Sequence, residues 1–360
     1  MADLMTASCT YEALKKKYDG FCAPLIRIKM NGVDLVSTMN LSILDFKAKL
    51  SLEAASMVVF RLADIYDEES HSFASKVKSK FTLGSVVEVE LGYLSSAQMI
   101  FKGFVAMLGA EYGEIPVLVV TLMDARRLMM LSGSRQLMYD VKNYSDAVNQ
   151  ILKNYSGLCS ASVDATSDNL VKPVSQQNND YFFITHDIIQ AGKADREFFV
   201  LADKVYFRTP RKEKTPIMTM TLGRELYTLQ VEEAYMDLQI EVSGYDPEKQ
   251  SALTGKEKVE TADTQKKLLS QTPVHTISDP DADTQEKVNQ RAKALAAAKA
   301  WSLCSARGVA VGLPELVPGR YVKVKDLEAD LGDHKYYIIE VNHEINGENF
   351  KTTFETGGWL

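Results

Sequence analysis

The chain has 360 residues, 46% hydrophobic and 25% charged, ordinary globular values at a length that predicts two or three domains. Its 41 basic against 48 acidic residues give a formal charge of −7, which disfavours nonspecific nucleic-acid binding, a process driven by basic surface displacing counterions. No apolar run reaches the length of a membrane span, and the N-terminus lacks the apolar core and cleavage site of a secretory signal.

A leader helix is expected over Tyr11 to Tyr18, with Leu14 and Tyr18 at i, i+4 spacing. From Pro24 the pattern becomes β: LIRIKM alternates, Asn31-Gly32 is a hairpin turn signal, and LSILDFKAKLSL and SMVVFRLAD follow. A polar piece, Asp67 to Lys80, has room for a helical turn. Then SVVEVELGYL, MIFKGFVAMLGAEY and PVLVVTLMDA complete a run of strands that argues for a sandwich or barrel. Near Arg126 the character changes. Ser145 is the expected N-cap of a helix bearing Ala147, Val148, Ile151, Leu152 and Tyr155, stopped by Gly157. A second short helix begins at Asp180, and the hairpin EFFVL–KVYFR completes a small α/β unit. β pattern resumes at PIMTMTL and runs through LYTLQVEEAYMDLQIEVSGYD. Pro247 to Asp283 is polar, charged and poor in large apolar residues, so a linker or long loop is expected. Thr284 to Arg307 reads as one alanine-rich helix, and three strands close the chain.

Nothing in this order advertises catalysis. The four cysteines form no C-x-x-C pair, and the five histidines have no metal-ligand spacing, so no metal or cofactor is expected. Nucleophile-elbow, dinucleotide and phosphate-loop motifs are absent. A Cys159–His186 pairing has nothing local to support it, and a buried structural cysteine is the preferred reading.

The order of the pieces resembles the baseplate hub proteins of contractile phage-like particles. This is the phage late control protein D family, similar to the hub half of type VI secretion spike proteins. The resemblance rests on Asp180-Tyr181, Gly192, Phe198-Phe199 and Lys204-Val-Tyr-Phe, although ITHDIIQAGKAD replaces the usual helix there, which predicts a shorter or bent one. It rests also on Leu83-Gly84 before VEVELGY with Phe101-Lys-Gly-Phe-Val, on Val242-Ser-Gly-Tyr-Asp-Pro, and on the closing strands from Leu316-Val-Pro-Gly and Tyr337-Ile-Ile-Glu-Val. The leader, with Tyr11, Leu14, Lys17-Tyr18, Phe21 and Pro24, looks like that of hubs from phage-like elements.

The fold implied is mainly β with an α/β insert. A leader (1–22) precedes a tube-like β-barrel domain (23–127) and an α/β insert (128–215). A second tube-like barrel with a long helix (216–249 and 284–360) is interrupted by a polar linker (250–283). Both β regions carry a strand pair with a glycine-containing turn, but the sequence offers no residue-for-residue alignment between them. The resemblance further implies a non-enzymatic homotrimer whose six tube-like units join a six-fold inner tube to a three-fold spike. Other baseplate components are further partners, and the chain would be made in the bacterial cytoplasm and built into a tail or injection particle. Glu88 and Glu90, on one face of VVEVELGY, are the candidate channel-lining residues, and Trp359 and Leu360 the candidate spike contact. Since the chain stops at Trp359-Leu360, the spike is expected to be a separate polypeptide. Two other functions compete: a hub-derived cell-wall hydrolase, and an effector-loading or surface-binding module.

Overall fold

The computed structural model describes residues 3–261, 265–328, 334–347 and 349–359. Thr10 caps α1 (Tyr11–Lys17) by accepting from the Ala13 amide at 3.2 Å, and the helix buries Leu14. The alternating segments then form β1 (Pro24–Met30), β2 (Val33–Asp34), α2 (Leu35–Met39), β3 (Ser42–Ser51) and β4 (Met57–Ala63). The polar stretch holds β5 (Tyr66–Asp67), β6 (Ser72–Phe73) and α3 (Ser75–Lys78), and β7 (Val86–Tyr93), β8 (Ser96–Glu111) and β9 (Val117–Met123) complete the first β region.

The insert comprises α4 (Ala125–Met130), β10 (Leu137–Tyr139), α5 (Tyr144–Leu152), β11 (Ser160–Val163), β12 (Val174–Gln176), α6 (Asp180–Phe182), β13 (Glu197–Leu201) and β14 (Lys204–Arg208). Its sheet has order β11-β14-β13, and Ala147, Val148, Ile151 and Leu152 of α5 share its apolar core. Asn143, not Ser145, is the N-cap of α5, and the Ser145 side chain instead accepts from the Thr166 amide. After α6 the chain runs as a π-helix from Phe183 to Gln190, so the departure from the usual helix here widens the helical turn.

The rest of the chain is β15 (Pro216–Thr221), β16 (Leu226–Glu233), β17 (Gln239–Asp246), β18 (Ser251–Lys258), β19 (Val274–Ser278), α7 (Gln285–Trp301), β20 (Cys304–Val311), β21 (Tyr321–Lys325), β22 (Lys335–Asn346) and β23 (Asn349–Trp359). Two expectations are corrected here. The helix ends at Trp301 rather than Arg307, because CSARGVAV alternates buried and open positions as β20 between β16 and β23. The segment 250–283, expected as a linker, supplies two strands that flank β17, β18 antiparallel and β19 parallel. Residues 262–264 of that segment lie outside the described residues. This sheet leaves the main one and packs on α7 through Ile240, Val242, Val259, Val288, Ala292 and Ala296. Its small residues let the layers approach: a Cβ at Gly255 would stand 2.4 Å from the Val288 carbonyl oxygen. Few large apolar residues are needed for such a contact, which is why the composition resembles a linker.

The two β regions lie in one thirteen-stranded sheet. With β2 set aside, this sheet takes six strands from each region among the described residues, in chain order β1, β3, β4, β7, β8 and β9, then β15, β16, β20, β21, β22 and β23. The pairings coincide. In each, the first strand pairs the fourth, the fourth the fifth, the fifth the sixth, the sixth the third and the third the second. One difference is that β1 runs antiparallel to β7, whereas β15 runs parallel to β21.

The match extends to single residues. Gly84 and Gly319 both have φ of 84°. The Gly84 amide donates to Val105 O and the Val105 amide to Ser85 O, just as the Gly319 amide donates to Ile338 O and the Ile338 amide to Arg320 O, all at 2.8–2.9 Å. Val86 opposes Phe104 as Tyr321 opposes Tyr337. The fifth strand breaks register against the sixth between Val105 and Met107 in one repeat and between Ile338 and Glu340 in the other. The chain therefore contains two copies of one six-stranded unit, and the two units share one apolar core.

Candidate functional site

The repeats are joined where β3 of the first lies antiparallel beside the second half of β22, from Glu340↔Ser51 to Asn346↔Asp45. On the core side of this joint Phe46, Ala48 and Leu50 meet Val341, His343 and Ile345, and all six are buried. On the other side Lys49 pairs with Glu340 at 2.8 Å and Lys47 with Glu344 at 3.6 Å. These partly exposed pairs contribute at most about 1 kcal/mol each, so burial holds the joint and the charges fix its register. His343 lies within 2.9 Å of Thr352 Oγ1, and its Nε2 has no hydrogen-bond partner. Burial lowers its pKa to about 3, so it is a neutral core residue at pH 7.

A second tie crosses between repeats through the leader. The Tyr18 hydroxyl donates to Glu315 Oε1 at 2.7 Å, Lys17 adds an ion pair to the same oxygen, and Tyr93 of β7 donates to Gly312 O. Burial, with Glu315 adding to it, raises the Tyr18 pKa far above the ordinary phenol value. The fully buried Arg320 donates to Leu4 O at 2.6 Å and to Ala7 O at 2.9 Å, pinning the N-terminal segment to the second repeat.

The motif residues of the insert have structural partners. Asp180 accepts from Tyr155 Oη at 2.6 Å and from Gln176 Nε2 at 2.7 Å, and its amide donates to Ser132 Oγ. Tyr181 Oη donates to Glu53 O at 2.6 Å, in the turn between β3 and β4. The same turn is clamped by Arg126, fully buried, which pairs with Asp124 at 2.7 Å and donates to Ser51 O and Leu52 O. Burial raises the Cys159 thiol to about 12, so it is an inert thiol. Among the described residues no group of histidine, cysteine and acidic side chains is arranged to hold a metal ion, and no helix is long and apolar enough to cross a membrane.

Glu88 and Glu90 share a face of β7, with Val87 and Val89 in the core. That face is a ladder of opposite charges. Glu90, 5% exposed, is covered by Lys29 and by Arg27 at 3.4 Å, while the more open Glu88 pairs with Lys102 at 3.3 Å. Trp359 ends β23, with its backbone opposite Tyr336, and Leu360 lies outside the described residues. The structure thus places the candidate lining pair, Glu88 and Glu90, on β7, apart from the joint, and the backbone of Trp359 at the end of β23. The joint itself was missed in the sequence. Its signal was present as Lys47 and Lys49 in one strand and Glu340 and Glu344 in another, of opposite sign and at even spacings that keep each pair on one face of its strand.

Comparison with solved structures finds the same architecture in tail proteins. A tail protein from Neisseria meningitidis MC58 superposes with a TM-score of 0.69 at 11% identity, covering 93% of this chain and 96% of that one. The 43 kDa tail protein of prophage MuSo2 from Shewanella oneidensis gives 0.67 at 11%, covering 93% and 98%. An E. coli protein, described as a component of the type VI secretion system with structural similarity to T4 bacteriophage tail proteins, gives 0.56 at 11%, covering 91% and 76%. No curated protein matches by sequence. The fold is therefore mainly β with an α/β insert, and it is that of phage tail and secretion-spike-related proteins. A family model described as the Alg8 N-terminal domain matches residues 24–347, nearly the whole chain, and the chain belongs to that family.

Proposed function

We propose that this chain is a structural hub of a contractile tail or injection particle. Three copies form a ring of six β units around a channel, joining a six-fold tube to a three-fold spike. The observation that carries the reading is the duplication: two units of one pairing scheme in one chain turn a three-fold assembly into six similar positions. Likeness of fold to tail proteins and to a type VI secretion component supports the setting. The role we assign is mechanical and needs no catalytic centre; the tube protein, a spike chain and other baseplate components are its partners. The channel lining we infer is polar and of alternating sign, because the position held by Glu88 in the first repeat is held by Lys323 in the second. Sedimentation of the purified chain, followed by imaging of assembled particles, tests the reading. Three copies encircling a channel between tube and spike are expected, and a monomer both in solution and in the particle would overturn it.

A further inference from the structure

The joint between β3 and β22 is made once inside the chain, yet each repeat has both halves of it. The equivalence can be traced through the ladders. Ala48 opposes Val58, Val58 opposes Leu122, and Leu122 opposes Val105. In the second repeat Val231 opposes Ala306, Ala306 opposes Thr356, and Thr356 opposes Ile338. Val105 and Ile338 are the matched positions of the glycine hydrogen bonds, so Val231 on β16 stands where Ala48 stands on β3. By the same count along the fifth strand, past the shared register break, Ala110 on β8 stands where His343 stands on β22.

Both of these counterparts lie on open edges. Among the described residues β16 pairs only β20, and β8 beyond Phe104 has β9 on one side and no strand on the other, because β7 stops at Val86. A shallow groove lies along this part of β8, from Met107 to Glu111. The row that is buried at the internal joint is only partly covered here: Leu229 and Val231 are half-buried, Ala110 is exposed, and Tyr112 is 70% exposed. Open edges with an apolar row are pairing sites, and these two bracket the run from β16 to β8 at its opposite ends.

We propose that β16 of one copy pairs antiparallel with residues 107–112 of the next copy, the open end of β8 and the residue after it, repeating the register of the β3–β22 joint. Val231 then faces Ala110, Leu229 faces Tyr112, and Gln230 faces Glu111, so no like charges oppose each other. Such a contact is head-to-tail, and it closes when the rotation between copies equals a simple fraction of a turn. The proposal rests on the ring reading for its closure at three copies and adds to it the strands and register.

The test uses the full chain with Cys22→Ser, carrying Ala110→Cys and Val231→Cys, oxidised gently and separated under denaturing conditions. Directly opposed antiparallel residues bring their Cβ atoms within disulfide reach, so a covalent three-chain species is expected. Moving one cysteine by a single position, Ala110→Cys with Gln230→Cys, puts it on the other face and should reduce that species at least tenfold. A native trimer in which both variants cross-link equally, or neither does, overturns the edge pairing and leaves the ring reading standing. Open chains of more than three copies, linked only by the in-register pair, support the edge pairing and overturn closure at three. A monomer at all concentrations overturns both.

Discussion

At the scale of single residues, the joint buries one histidine whose titration is out of the ordinary. His343 titrates near pH 3 in the folded chain against 6.5 for the free side chain, because burial disfavours the imidazolium. The unfolded chain therefore takes up the proton first. The stability that depends on this residue is complete above pH 6.5 and is lost progressively as pH falls toward about 3. At pH 5 the loss amounts to roughly 2 kcal/mol, from 1.4 kcal/mol per pH unit below the free value. Urea unfolding at pH 7 and pH 5 should show that decrement in the parent chain. In His343→Leu the acid-side slope should be shallower by the same amount, whatever the variant's absolute stability. Equal slopes would mean that the histidine is reached by water.

At the scale of elements, equivalent turns of the two repeats sit in different surroundings. Gly84 and Gly319 share a left-handed backbone that costs other residues about 1–2 kcal/mol. A Cβ at Gly84 would meet open space, whereas at Gly319 it would stand 3.0 Å from Phe199 Cζ and 3.0 Å from Arg208 Nη2. Gly84→Ala should therefore cost only the backbone strain, and Gly319→Ala should cost at least about 1 kcal/mol more. Urea midpoints of the two variants check the order, and equal losses would show that Arg208 moves aside freely. These turns also show how much of the fold the sequence disclosed. The alternation of VVEVELGY, the helical spacing of α5 and the closing strands were legible because their apolar residues recur at the period of each element. The repeat was not, because it is kept in backbone hydrogen bonds and register. Its side chains have diverged: Glu88 corresponds to Lys323 and Val86 to Tyr321. β20 was hidden by the alanine-rich helix running into it, and β18 by a contact that needs no bulk. Of the candidate site, Glu88 and Glu90 were legible as a same-face pair, but the cover that Arg27 and Lys29 give Glu90 comes from a strand 63 and 61 residues away in sequence, far outside any local pattern.

At the scale of the whole molecule, the two repeats are unequally furnished. In the first, β3 and β4 are joined by a short turn held down by Arg126 and Tyr181. In the second, the matching strands β16 and β20 are separated by the whole of β17, β18, β19 and α7. That excursion leaves and returns at one place, for the Ala234 amide donates to Leu303 O at 2.8 Å. It also has its own apolar core. Replacing residues 236–299 by a three-residue turn should leave the main sheet cooperatively folded, as read by circular dichroism and a single urea transition. A collapsed, non-cooperative product would show that the sheet leans on the excised body.

In terms of descent, an excursion that leaves and returns at one place has the form of a segment spliced into one member of a duplicated pair. Loop-closure entropy grows only logarithmically with the length added, so such a splice is nearly free for the host sheet. Any appendage fixed to only one repeat recurs once per chain, so natural variation among relatives should collect in this excursion while the six-strand pairing scheme stays constant.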